Sequence, residues 1–149
     1  MAIGGRLTHL GLCVSDMERS RRFWCEVMGF APSAEFPELR VENEMADRLL
    51  SLRAVSLHAV YLERDGFRIE LLHYASPRSP AVAPARGMND LGLTHLSVRV
   101  PDVKAAMAAI EAGGGRVERA TAVEIEGLVV AVFARDPDGL PIELVLGPS

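Results

Sequence analysis

The sequence predicts an α+β fold made of two βαβββ modules. Three observations carry this reading: an internal repeat, strand-like alternation around the repeated motifs, and one helix-forming segment after the first strand of each copy. Residues 8–17 read Thr-His-Leu-Gly-Leu-Cys-Val-Ser-Asp-Met, and residues 94–103 read Thr-His-Leu-Ser-Val-Arg-Val-Pro-Asp-Val, displaced by 86 positions. Thr, His, Leu, Val and Asp recur in register. Asp65-Gly66-Phe67-Arg68-Ile69-Glu70-Leu71 is echoed by Asp138-Gly139-Leu140-Pro141-Ile142-Glu143-Leu144, displaced by 73. The first copy therefore holds 13 more residues between its motifs (86 against 73), placed at roughly 33–54, a charged stretch of weak strand character.

Each copy has the same layout. Leu7–Val14 reads as a strand; Ser15, with Glu18 three residues on, reads as a capping box opening a helix that ends at Gly29. Val55–Glu63 and Phe67–Tyr74 read as strands joined at Arg64-Asp65-Gly66. In the second copy, strand Leu93–Val100 leads into an Ala-rich helix, Asp102–Ala112, closed by Gly113-Gly114-Gly115. Strands near Arg116–Ala122, Leu128–Ala134 and Leu140–Leu146 follow, the last after the turn Asp136-Pro137-Asp138-Gly139. The expected organisation is one domain over 1–149: a module at about 5–76, a proline-containing linker at about 77–91, and a module at about 92–147.

Composition bounds the function. The chain has 149 residues, 49% hydrophobic and 24% charged, as in an ordinary globular protein. A net charge of −4 with no basic run excludes a phosphate-backbone binder, so no nucleic-acid partner is expected. Apolar stretches such as Gly127–Ala134 are too short to span a bilayer, and Met-Ala-Ile-Gly-Gly-Arg lacks the features of a secretory signal. Two cysteines, Cys13 and Cys25, make no disulfide framework. The expected compartment is the cytoplasm, with no membrane partner.

Strand parity selects the candidate site. His9, Gly11 and Cys13 share one face of the first strand, opposite Leu10, Leu12 and Val14; His95, Ser97 and Arg99 share a face in the second copy. Glu70 and Glu143 each sit between aliphatic residues and point away from them. A single strand glutamate is usually solvent-facing, and a single strand histidine usually structural. The repeated His…Glu pair changes that balance: duplication places two imidazoles and two carboxylates about a pseudo-twofold axis, where they can converge on one divalent ion near charge balance. The expected ligands are His9, Glu70, His95 and Glu143. Arg68 and Arg99 share their parity and are candidates for an anionic substrate group. Cys13 is a candidate for the cavity wall. His73 has the opposite parity and reads as packing; His58 has no assignment.

These motifs resemble the vicinal oxygen chelate superfamily, which includes glyoxalase I, methylmalonyl-CoA epimerase, extradiol dioxygenases and fosfomycin- and bleomycin-resistance proteins. The carriers are residues 8–16, Phe23-Trp24 before Met28-Gly29-Phe30, Ile69-Glu70-Leu71, Gly92-Leu93-Thr94-His95-Leu96, and Asp136-Pro137-Asp138-Gly139 before Ile142-Glu143-Leu144. The resemblance implies a curved mixed sheet around a metal, a homodimer, and one divalent ion (Ni, Co, Zn, Mn or Fe) on the four residues above. In its His/Glu/His/Glu combination the set is similar to glyoxalase I. Cys13 and Tyr74 stand where that enzyme has a glutathione-binding Arg and Asn, which makes both substrate-contact candidates and argues against glutathione. The connector from Ala75 to Pro80, with Arg86-Gly87, is similar to the epimerase, whose second base falls at Glu42 or Glu44. Phe133 takes the place of a dioxygenase Tyr, which disfavours ring cleavage. The expected function is proton transfer α to a carbonyl or thioester of a small-molecule substrate by a metal-dependent isomerase, epimerase or lyase. Glu143 is the expected base and Glu70 its symmetric partner. The alternative is a drug-sequestering resistance protein of the same fold.

Overall fold

A computed structural model describes residues 4–79 and 87–148. The chain divides into two compact units, Met1–Ser79 and Pro80–Ser149. The expected linker reaches into residues 80–86, which lie outside the described residues.

In the first unit, β1 (Leu10–Cys13) leads into α1 (Met17–Arg22), which runs on as a π-helical turn through Phe23–Val27. Then come β2 (Ala31–Pro32), β3 (Leu39–Val41), α2 (Glu44–Leu50), β4 (Ser56–Arg64) and β5 (Phe67–Ser76). The sheet order is β1-β5-β4-β2, and β3 also pairs with β4. β2 lies on Leu62 and Glu63, and β3 on Leu57–Ala59. Both therefore occupy the β4 edge that β5 leaves open: the second strand of the βαβββ module is broken in two. β1 and β5 are parallel, which the α1 crossover permits. β4 and β5 form a hairpin whose loop, Asp65-Gly66, has φ of 52° and 75°, as a type I′ turn requires.

The second unit repeats this plan. β6 (Leu96–Val100) and α3 (Val103–Ala112) precede β7 (Arg116–Val117), β8 (Val123–Ile125), β9 (Leu128–Arg135) and β10 (Pro141–Leu146), in the order β6-β10-β9-β7 with β8 also on β9. β6 and β10 are parallel. The fold is thus α+β, with two five-stranded mixed sheets, one in each βαβββ copy. Among the described residues no helix is long and apolar enough to cross a membrane.

One face of each sheet builds the core. In unit 1, Leu12, Val60, Leu62, Ile69 and Leu71 are buried with Met17, Ser20, Phe23 and Trp24 of the helical segment. Trp24 meets Phe23 and Phe30 edge-on, at centroid distances of 5.9 and 5.5 Å. In unit 2, Val132, Ala134, Ile142 and Leu144 are buried with Val103 and Ile110 of α3. The opposite faces carry Glu70 and Glu143, and in unit 1 also a second apolar cluster in which Leu57, Leu72 and Tyr74 pack with Ala46 and Val55.

Local details differ from the sequence expectations. The helix cap is Asp16, whose carboxylate accepts from Arg19 N at 2.9 Å; Ser15 instead accepts from the Arg19 guanidinium. Asp102 caps α3 in the same way. Asp is the residue that recurs between the copies, and it precedes the first helical turn at the position where a carboxylate reaches the third amide. Both leading strands start late, at Leu10 and Leu96, not at Leu7 and Leu93. Ahead of β1, Arg68 Nη1 donates to the Thr8 carbonyl at 3.2 Å, so a side chain takes the place of a ladder partner there. The expected Arg116–Ala122 strand is cut to two residues by a 3₁₀ turn, Arg119–Thr121. The 33–54 stretch forms β3 and α2, which Asn43 caps through Ala46 N.

Gly115 closes the connection from α3 to β7. An added Cβ there would fall 2.6 Å from the Arg135 carbonyl and 2.8 Å from Ile110 Cγ2. Gly115→Ala should therefore lower stability by about 1–3 kcal/mol, on the scale of overpacking; a denaturant melt with an unchanged midpoint would contradict this.

Candidate metal centre

The parallel pairing of first and last strands sets the geometry. Gly11 lies opposite Glu70 in the β1–β5 ladder, and Ser97 opposite Glu143 in the β6–β10 ladder. His9 and His95 stand just before these strands, with the parity of Gly11 and Ser97. His9 Nε2 comes to 3.0 Å from Glu70 Oε2, and His95 Nε2 to 3.7 Å from Glu143 Oε2. Behind each ring is a threonine: Thr8 Oγ1 is 3.1 Å from His9 Nδ1, and Thr94 Oγ1 is 2.9 Å from His95 Nδ1. Beside each ring is an aromatic edge: His9 and Tyr61 have centroids 5.3 Å apart, and so do His95 and Phe133. Each unit therefore holds one half of the expected ligand set in the same local arrangement. Within neither unit, among the described residues, does a group of three or more His, Cys, Asp or Glu side chains gather as a metal site.

The halves differ in how the carboxylate is braced. Tyr61 stands directly across the β4–β5 ladder from Glu70, on the same face. Burial and, after it, the neighbouring Glu70 carboxylate push the Tyr61 phenol up to about 12. Glu143 faces Phe133, which has no hydroxyl, and accepts instead from Ser97 Oγ at 2.7 Å. The Glu70 side chain is 13% exposed and that of Glu143 is 31%, so Glu143 is the more accessible carboxylate.

The other candidates fall as follows. Arg68 is fully engaged. Its Nε donates to Glu63 at 2.6 Å, its Nη2 to Glu35 at 2.7 Å, and its guanidinium stacks 4.1 Å above the Phe36 ring. Arg99 lies along Gly147, where any Cβ would meet its Cδ. Tyr74 shares the face of Glu70 and packs, with Leu72, on Ala46, Val55 and Leu57; burial raises its phenol. Cys13 lies on that face and is exposed. His58, unassigned from the sequence, is buried on the opposite face, and its Nε2 is 2.6 Å from Glu38 Oε1. His73 pairs with His58 across the ladder, on the helix side, as its parity implied. Tyr61 escaped the sequence reading. Its signal was present: a two-residue Asp65-Gly66 loop puts Arg64 opposite Phe67 and hence Tyr61 opposite Glu70, whereas a three-residue turn hides that register.

Residues 6–144 match the model of the Glyoxalase/Bleomycin resistance protein/Dioxygenase superfamily. The chain belongs to this family. A probable lactoylglutathione lyase of Vibrio parahaemolyticus is 31% identical over 141 residues, covering 95% of this chain and 90% of the relative. The uncharacterized protein YaeR of Escherichia coli is 27% identical over 138 residues, covering 91% and 92%. Among solved structures, a glyoxalase family protein from Bacillus cereus superposes with a TM-score of 0.77 at 18% identity, covering 98% of this chain and 97% of that one. It shares the fold.

The two thiols should be separable. Cys13 is exposed, whereas burial pushes the Cys25 thiol up, against the pull of Arg21. An aromatic disulfide reagent near pH 8 should react first with Cys13, and Cys13→Ser should abolish the fast phase. A fast phase that survives in Cys13→Ser would contradict this assignment.

Proposed function

We propose that His9, Glu70, His95 and Glu143 together hold one divalent metal ion, and that the chain is a metal-dependent lyase or isomerase moving a proton α to a carbonyl or thioester. The observation that carries this reading is the duplicated imidazole–carboxylate pair, with a threonine hydroxyl behind each ring. The donor set fits a borderline divalent cation: two neutral nitrogens and two carboxylates leave room for substrate oxygen and nearly balance the charge. With Nδ1–H donating to the threonine hydroxyl, each imidazole keeps its Nε2 lone pair for the ion. Bound there, the ion would polarise the substrate carbonyl and stabilise the negative charge that develops on its oxygen.

The protein's own part is the proton. Glu143, the more exposed of the two and braced by Ser97, is the base that takes the proton from the carbon next to the carbonyl. Glu70, across the ladder from Tyr61 and 3.0 Å from His9, is the less exposed carboxylate of the pair. The reading that competes is sequestration of a small molecule in the same fold. Retention of all four donor residues favours the enzyme.

The Glu143→Gln variant should keep at least part of its metal and lose deuterium exchange into acyl-CoA or α-hydroxycarbonyl substrates by about 10²-fold or more, as expected for a general base. His9→Ala should keep its fold by circular dichroism and lose most of its metal. Wild-type protein that exchanges none of these substrates yet binds an aromatic natural product tightly would establish sequestration instead.

Glutathione is not the expected substrate carrier, although a relative bears the name lactoylglutathione lyase. Cys13 and Tyr74 replace the Arg and Asn of the glyoxalase I pattern, and Arg68 on the same face is already shared between Glu63 and Glu35. A missing charge-assisted hydrogen bond should cost about ten- to a hundredfold in binding. Steady-state turnover of the methylglyoxal–glutathione hemithioacetal should accordingly be poor; efficient turnover would overturn this exclusion.

A further inference from the structure

The 33–38 loop and the Glu70 half-site form one connected stack. Arg68 crosses from β5 to this loop, pairing with Glu35 and Glu63 while its guanidinium lies over Phe36. Ser33 Oγ donates to the same Glu63 carboxylate. Phe36 in turn leans on Tyr61, with centroids 5.2 Å apart and planes at 38°. Tyr61 meets the edge of His9 at 5.3 Å and 76°. The far end of the loop is anchored by Glu38 on His58. Phe36 and His9 therefore both pack against the Tyr61 ring, on the strand position directly opposite Glu70.

The second unit lacks this device. The matching position is Phe133, which touches His95 in the same edge-on manner but carries no hydroxyl. Its carboxylate instead takes a hydrogen bond from Ser97, at the β6 position where β1 has Gly11. The two carboxylates, equivalent by the sequence repeat, thus have different neighbours: Glu70 faces a phenol on the hairpin strand β4, and Glu143 accepts from a serine on the leading strand β6.

We infer that Tyr61 is a positioning residue, whose hydroxyl, locked by the Arg68–Phe36 stack, fixes the Glu70 carboxylate toward the metal, and that this fixed brace makes the two halves of the centre inequivalent. The inference rests on the metal reading above. A hydrogen bond to a ligating carboxylate orients it and reduces the freedom it loses on binding. Arg68 then serves the centre through Phe36 and Tyr61, and not as the anion contact that its strand parity first implied.

The test is titration of the metal-free protein with Co²⁺ alone, read by affinity and by visible absorption, which reports ligand arrangement independently of turnover. Tyr61→Phe keeps the ring and removes the hydroxyl. It should weaken Co²⁺ binding about tenfold, alter the absorption, and leave the metal-free melting temperature near wild type. Phe36→Ala keeps the hydroxyl but frees the ring, and should weaken binding several-fold; it decides the matter should Tyr61→Phe not fold. Wild-type affinity and spectrum in both variants, while His9→Ala loses Co²⁺, would overturn the role of Tyr61 and leave the metal reading standing. Wild-type binding in His9→Ala as well would overturn both.

Discussion

Parallel pairing between the first and last strands of each unit is the contact on which the rest depends. It sets Gly11 against Glu70 and Ser97 against Glu143, and so brings each preceding histidine to its carboxylate. A parallel pair needs a crossover, and the helical segment that supplies it also buries the aliphatic side of the sheet. The core and the candidate site are therefore opposite faces of the same strands. Period-2 alternation separates them: Ile69 and Leu71 go to the helix, and Glu70 goes to the other side.

Duplication gives two copies of this arrangement, and small local changes give them different character. Gly11 against Ser97 and Tyr61 against Phe133 alter which polar groups neighbour the carboxylate. The inserted stretch in the first copy adds further differences. Its loop ties Arg68 to Glu35 and Phe36, and its helix α2 contributes Ala46 and Leu50 to the cluster beneath Leu72 and Tyr74. The first half of the candidate centre is consequently walled by aromatic and apolar groups, and the cation Arg68 there is matched by carboxylates.

Much of this was legible in one dimension. The repeat of Thr-His-Leu and Ile-Glu-Leu gave the module and selected the four candidate ligands, because a strand with one buried face fixes the parity of every residue on it. The helix start at Asp16 was missed in favour of Ser15. Both residues can cap, and the choice depends on which one turns into extended backbone just before the first helical amides. Tyr61 was missed because a turn counted one residue too long shifts the register and hides the cross-strand partner.

The sequence by itself determined the α+β class, the duplicated βαβββ plan, the buried strand faces and the candidate ligands, since each follows from local periodicity and from a repeat that needs no partner to be seen. Tertiary structure alone decided what long-range packing controls. It tied Arg68 to Glu35, 33 positions away, and seated His58 on Glu38. Such contacts join segments whose separation in the chain carries no periodic signal. They depend on where a loop without regular pattern closes back on the sheet.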